Sequence, residues 1–175
     1  YFPDPPPMTF NWKHNAGLTA SSFTGQANPL ISESEPNHSP ATANAITASH
    51  PIIGTVSQST LANVGNTVIS VTVTLDGGSP VLISPTVEDW FTFTLAYARI
   101  VAVTLSFEGS PTADLDMFLM NSTGTILYGY SVHDNPVRQD QNEKITLNLA
   151  AGTYRIGVDG FLSPGGAVTY TVQLE

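Results

Sequence analysis

The chain has 175 residues, 41% of them hydrophobic and 11% charged, which suits one buried core; the lack of cysteine excludes disulfides, thiol nucleophiles and cysteine-ligated metals. Five Lys and Arg against fourteen Asp and Glu leave a net charge of −9, which repels nucleic acid and anionic membrane and favours cations. No run approaches the ~20 apolar residues of a membrane span.

Residues 1 to 31 read as an arm. Its Pro-rich opening, residues 1 to 7, favours an extended polyproline conformation, residues 8 to 12 read as a short strand containing Phe10 and Trp12, and residues 17 to 29 continue in loop chemistry without a sustained period. The start at Tyr1, without an initiator Met or an apolar leader, predicts a chain from which a signal peptide has been removed, and hence an extracellular or cell-surface location.

Residues 32 to 175 are expected to form the folded unit. Residues 40 to 46 could make one or two helical turns, the one plausible helix in the sequence. Ile52 to Val56 reads as a strand; residues 58 to 87 look like an inserted hairpin, with strands over 67 to 75 and 80 to 83 around an Asp76-Gly77-Gly78 turn. In residues 89 to 97, aromatic and β-branched residues alternate with period two, placing Phe91, Phe93 and Leu95 on one face and Trp90, Thr92 and Thr94 on the other. Strands then follow over 99 to 107, 114 to 120, 125 to 131, 143 to 149, 153 to 159 and 168 to 174, separated by Gly-, Pro- and Ser-rich turns. So many short strands predict an all-β, jelly-roll-like antiparallel sandwich with an extended N-terminal arm. The expected core is Phe91, Phe93, Leu95, Val101, Val103, Leu115, Met117, Leu119, Ile156, Val158 and Val172.

Several residues carry chemistry. Asp89 stands where a loop becomes a strand, a place where a carboxylate faces solvent, caps a turn or holds a cation. Asp114 and Asp116 lie two apart, so both carboxylates share a face and want a partner such as a cation, Arg155, Arg99 or the amides of the Gly109 turn; a glycosidase pair is the less favoured reading. His14, His38, His50 and His133 are scattered, with neither a Gly-x-Ser-x-Gly elbow nor a His-Glu-x-x-His motif. Asn37-His38-Ser39 and Asn121-Ser122-Thr123 have the form of glycosylation sequons.

Four landmarks together resemble the bacterial pre-peptidase C-terminal domain family, to which the collagen-binding domains of bacterial collagenases are related. They are Glu33-Ser34-Glu35-Pro36-Asn37 leading to Ile53-Gly54-Thr55-Val56; Asp89-Trp90-Phe91-Thr92-Phe93; Asp114-Leu115-Asp116-Met117-Phe118-Leu119; and the stretch from Ala151 to Val158 with the closing Tyr170-Thr171-Val172. The resemblance runs from about residue 33 to the end, omitting roughly 59 to 87, and implies a jelly-roll-like sandwich appended to secreted enzymes. It also implies calcium (Ca2+) held by Glu33, Glu35, Asn37, Asp89 and the carbonyl of Trp90, although His38 and Thr86 stand where those relatives carry acids. The alternative is that Glu35 and Asn37 cap the short helical turn and Asp89 caps a strand entry.

Two functions are compatible with these readings, and neither is enzymatic. One is a self-assembling extracellular filament or surface-layer subunit, whose arm adds a strand to a neighbour with Phe10 and Trp12 as apolar anchors. The other is an accessory module of a secreted protease or other hydrolase, binding protein or polysaccharide.

Overall fold

The computed structural model describes residues 29–56, 66–74, 78–108, 114–132, 142–162 and 167–175. The expected arm, with Phe10 and Trp12, lies outside these residues up to position 28, as do the turns at 109–111 and 163–166 and the His133-Asp134 loop. In chain order the strands are β1 (Ile31–Ser32), β2 (Asn44–Ala45), β3 (Ile52–Val56), β4 (Thr67–Val68), β5 (Val71–Thr74), β6 (Pro80–Ile83), β7 (Thr86–Val87), β8 (Asp89–Leu95), β9 (Arg99–Glu108), β10 (Asp114–Asn121), β11 (Leu127–Ser131), β12 (Asn142–Leu149), β13 (Gly152–Leu162) and β14 (Val168–Leu174).

Among the described residues, two five-stranded sheets form the sandwich, one ordered β1-β3-β14-β9-β12 and the other β11-β10-β13-β8-β2. Their long strands pair antiparallel, whereas the two-residue strands β1 and β2 run parallel to β3 and β8. Alternation decides which side chains meet between the sheets. Phe91, Phe93 and Leu95 of β8 pack with Leu115, Met117 and Leu119 of β10, Val101 and Val103 of β9, Ile156 and Val158 of β13 and Val172 of β14. The whole expected core is therefore buried where the period-two pattern placed it.

Part of the opposite face of β8 and β10 is also dry, although Thr94 of β8 is exposed. Trp90, Phe118 and Met120 point away from the first core and are covered by Ile69, Val71, Val73 and Val87. Two ribbons supply that cover, β4 with β7 and β5 with β6, so the expected continuous strand over 67 to 75 is broken into β4 and β5. Gly157 of β13 allows the close approach, because a Cβ there would lie 2.9 Å from a methyl group of Val87.

The expected helix over 40 to 46 is not formed, and among the described residues there is no helix. A single turn closes instead, with Thr42 N–H donating to Ser39 O at 3.0 Å, and β2 follows at once. Asn44 accepts from Ser34 N–H and donates to Ser34 O, while Ile46 N–H donates to Thr92 O, so tertiary partners take the backbone and polar groups that a helix would have used.

Candidate functional site

The entrance of β8 collects acids from four parts of the chain. Glu33 follows β1, whose pairing with β3 continues as Glu33 N–H donates to Ile53 O at 2.9 Å. Its Oε1 accepts from Thr55 N–H at 2.6 Å, and its Oε2 accepts from Asn37 Nδ2 and from the Tyr170 hydroxyl, each at 3.2 Å. Tyr170 donates more closely to Asp89 Oδ2, at 2.5 Å. Room for the phenol comes from Gly54, the register partner of Tyr170, where a Cβ would sit 2.4 Å from the ring.

Asp89 is completely buried, so of the three roles open to it at the strand entry the solvent-facing one is removed. Burial, then the charges of Glu33 and Glu35, push its carboxyl up to about 8 against the pull of the Tyr170 hydrogen bond. Glu33 is raised by burial as well, held back by the Thr55 amide and Asn37. Tyr170 is driven well above its ordinary value, first by burial and then by the two carboxylates.

Beside this group lies a pair that the sequence did not suggest. Glu88 is fully buried; its Oε2 accepts from Gly160 N–H at 2.8 Å, and burial followed by the charge of Asp159 raises it to about 8. Asp159 is raised to about 6, again mainly by burial. Asp116 stands opposite Asp159 in the β10–β13 register, which brings the expected Asp114 and Asp116 pair toward the same acidic end. Arg155, one expected partner of that pair, instead donates to Pro40 O at 2.9 Å and to the Thr92 hydroxyl.

The five residues expected to hold calcium are brought to one place, in differing ways. Asn37 is fully buried between Glu33 and the strand, and its O accepts from Trp90 N–H at 3.0 Å. The Trp90 carbonyl leaves β8 on the edge its N–H uses, while its indole goes to the outer core. Glu35 is exposed and accepts from Asn37 N–H at 3.1 Å, so neither residue caps a helix. The donors that converge are Glu35, His38 and Asp89, whose ligand atoms lie within 4.8 Å of one another, with Glu33 outside this trio. Calcium takes ~6–8 oxygens. A set with an imidazole among its donors, and with both Glu33 oxygens already accepting hydrogen bonds, matches such a shell poorly.

The two sequons differ in burial, Asn37 being fully buried and Asn121 half-buried. Asn37 is inaccessible, and Asn121 Oδ1 is engaged by the amides of Thr125 and Ile126 in the turn after β10.

Residues 87–160, from β7 into β13, match the sequence model of the bacterial pre-peptidase C-terminal domain. The match holds the second and third landmarks and the 151–158 part of the fourth, while the Glu33 segment and Tyr170 lie outside it. Similar solved structures include the pre-peptidase C-terminal domain of collagenase from Bacillus anthracis, 17% identical over 63% of this chain and 89% of that one, with a TM-score of 0.41. A carbohydrate-binding module of Cellvibrio mixtus lichenase 5A, in complex with cellotriose, is 14% identical over 69% of this chain and 95% of that one, with a TM-score of 0.34. The Aeromonas hydrophila periplasmic inhibitor of g-type lysozyme is 12% identical over 83% of this chain and 96% of that one, with a TM-score of 0.35. No curated protein sequence matches the chain.

Proposed function

We propose that this chain, with residues 87–160 matching the bacterial pre-peptidase C-terminal domain, is a non-catalytic binding module of a secreted bacterial protein. That match carries the reading. The chemistry of the acidic end agrees with it, because Glu88 and Asp89 are completely buried and hydrogen-bonded within the sandwich, where they stabilise strand entries and cannot meet a bulky substrate. The ligand is an extracellular protein or polysaccharide, met by exposed surface such as Tyr97 and Tyr128.

Cosedimentation of the full chain with insoluble cellulose, chitin and collagen fibrils tests the proposal, together with light scattering of the protein alone. Retention on one of these solids without release of soluble fragments, weakened by Tyr97→Ala or Tyr128→Ala, is the expected result. Hydrolysis of the solid overturns it. Retention on none of them, with concentration-dependent polymer growth lost in a Phe10→Ala, Trp12→Ala double variant, transfers the function to the self-assembling subunit.

A further inference from the structure

We infer that Glu35, His38 and Asp89 bind a divalent transition-metal ion of the zinc class, in place of the calcium that the family resemblance implies. The disagreement between donor set and calcium is the starting point. The three residues bring one nitrogen and two carboxylate donors within 4.8 Å of one another, and His38 Nε2 lies 3.5 Å from Glu35 Oε2. Two ligands held tetrahedrally at ~2.1 Å from a zinc ion are about 3.4 Å apart.

The imidazole is set for this role by its other nitrogen. His38 Nδ1 is 2.9 Å from the carbonyl oxygen of Glu88, which can only accept, so Nδ1 carries the hydrogen and Nε2 is the atom turned to Glu35. A ligating histidine is commonly oriented by such a donation to a backbone carbonyl.

A second observation points into the same place. Asp89 is completely buried with Oδ2 accepting from Tyr170, and its Oδ1 has no hydrogen-bond partner; the buried Oδ1 of Asn37 is in the same position. A buried carboxylate oxygen without a donor is costly unless a proton or a cation meets it. One imidazole and two carboxylates make the three-ligand set that zinc accepts with a fourth position left for water or a further oxygen. Imidazole also favours zinc, nickel and copper over calcium, which takes oxygen alone.

The test uses the full chain, stripped with chelator and then titrated separately with zinc and calcium chlorides while its melting is followed. Zinc raises the midpoint and calcium at equal concentration does not; cobalt(II) added to the stripped protein develops the intense visible bands of a four- or five-coordinate site. His38→Gln and Glu35→Gln, whose folding is checked by melting in chelator, weaken zinc binding by about tenfold or more. His38→Asp, which restores an all-oxygen set, shifts the preference toward calcium. Calcium binding the parent as tightly as zinc overturns the inference, and so does zinc affinity unchanged in His38→Gln, which would put the ion on another histidine such as His50. A melt that no metal moves reduces the trio to an ion pair between His38 and Glu35.

Discussion

The Tyr170 hydroxyl donates a 2.5 Å hydrogen bond to Asp89 Oδ2, joining the central strand of one sheet to β8 of the other through the interior of the sandwich. A phenol has one hydrogen, so the longer contact of the same oxygen to Glu33 Oε2, at 3.2 Å, is secondary. Tyr170→Phe keeps the ring, which meets Phe91 edge to face, and leaves a buried carboxyl without its donor. The variant is expected to lose about 1–3 kcal/mol in urea denaturation. An unchanged midpoint would show that the bond contributes nothing net.

Gly54→Ala attacks the same linkage from the other side. Its new methyl would meet the Tyr170 phenol at 2.4 Å and Glu33 Oε2 at 2.7 Å, so the ring must leave its place over β3. A loss of roughly 1–3 kcal/mol is expected from this overpacking. In a Tyr170→Phe background the penalty should shrink, because the hydroxyl that must be displaced is gone; equal penalties in both backgrounds would place the clash elsewhere.

The faces of the strands were legible in the sequence because a period-two pattern records which side of a sheet is dry. Phe91, Phe93 and Leu95 went where the alternation of β8 sent them. The same pattern does not reveal a second, partly dry face, since Trp90, Thr92 and Thr94 read as a mixed outer row, and Trp90 is buried against Phe118, Met120 and the ribbon residues Ile69, Val71, Val73 and Val87. At the acidic end, the family resemblance points to Glu33 and Asn37, and the loop-to-strand position of Asp89 points to that residue independently. Tyr170, 137 positions from Glu33, carries no local sign of its role, and the convergence of Glu88 with Asp159 depends on the β8–β13 register. A glycine inside Ile52–Val56 was the one available signal that something bulky crosses the strand there. The helix expected over 40 to 46 failed for a related reason: pairing with β8 outweighed local propensity.

Phe118→Ala compares the two cores. Phe118 has no exposed surface, like Phe91 in the inner layer, yet its neighbours are the outer-face residues Trp90, Met120 and Val87. Both Phe118→Ala and Phe93→Ala are expected to cost ~3–5 kcal/mol. Phe118→Ala should in addition speed hydrogen exchange in β5 and β6 under native conditions, which Phe93→Ala should not do. A mild effect of Phe118→Ala on both measurements would mean that the ribbons are dispensable cover.

The Glu88 and Asp159 pair sets a pH dependence. Glu88 rises from 4.5 to about 8 and Asp159 from 3.8 to about 6, so the native state holds protons that the unfolded chain releases earlier. Their contribution is fully present below the unfolded values and is lost as pH rises through the folded ones. In chelator, the melting midpoint should therefore fall between about pH 5 and about pH 8. Glu88→Gln, which keeps an acceptor for Gly160 N–H, should lessen that fall, the remainder coming from Asp159 and from Asp89, which is also raised to about 8. A midpoint that climbs with pH in the parent would reverse the sign and discard the account.

The boundary between arm and sandwich can be placed by truncation. The sequence put it after residue 31; among the described residues Ile31 N–H donates to Pro51 O at 3.0 Å and Ile31 pairs with Ile52, so β1 is part of the first sheet. A chain beginning at Pro29 keeps β1 and Glu33, whereas one beginning at Ser34 loses both. Neither contains Phe10 or Trp12, so their difference is independent of anything the arm does. Without Glu33, the Thr55 amide and the Asn37 side-chain amide lose their acceptor, and Tyr170 keeps only Asp89. Leaving such groups unmet costs about 1–3 kcal/mol each where they are buried, and less where water replaces the partner, as at exposed Thr55. The chain from Ser34 is expected to be at least 2 kcal/mol less stable, on the order of one buried group and one exposed one. Full-length Glu33→Gln should fall between the two truncations, because it preserves β1 and one acceptor oxygen. Equal urea midpoints for the two truncations would show that the first sheet is complete without β1 and that Glu33 holds nothing in place.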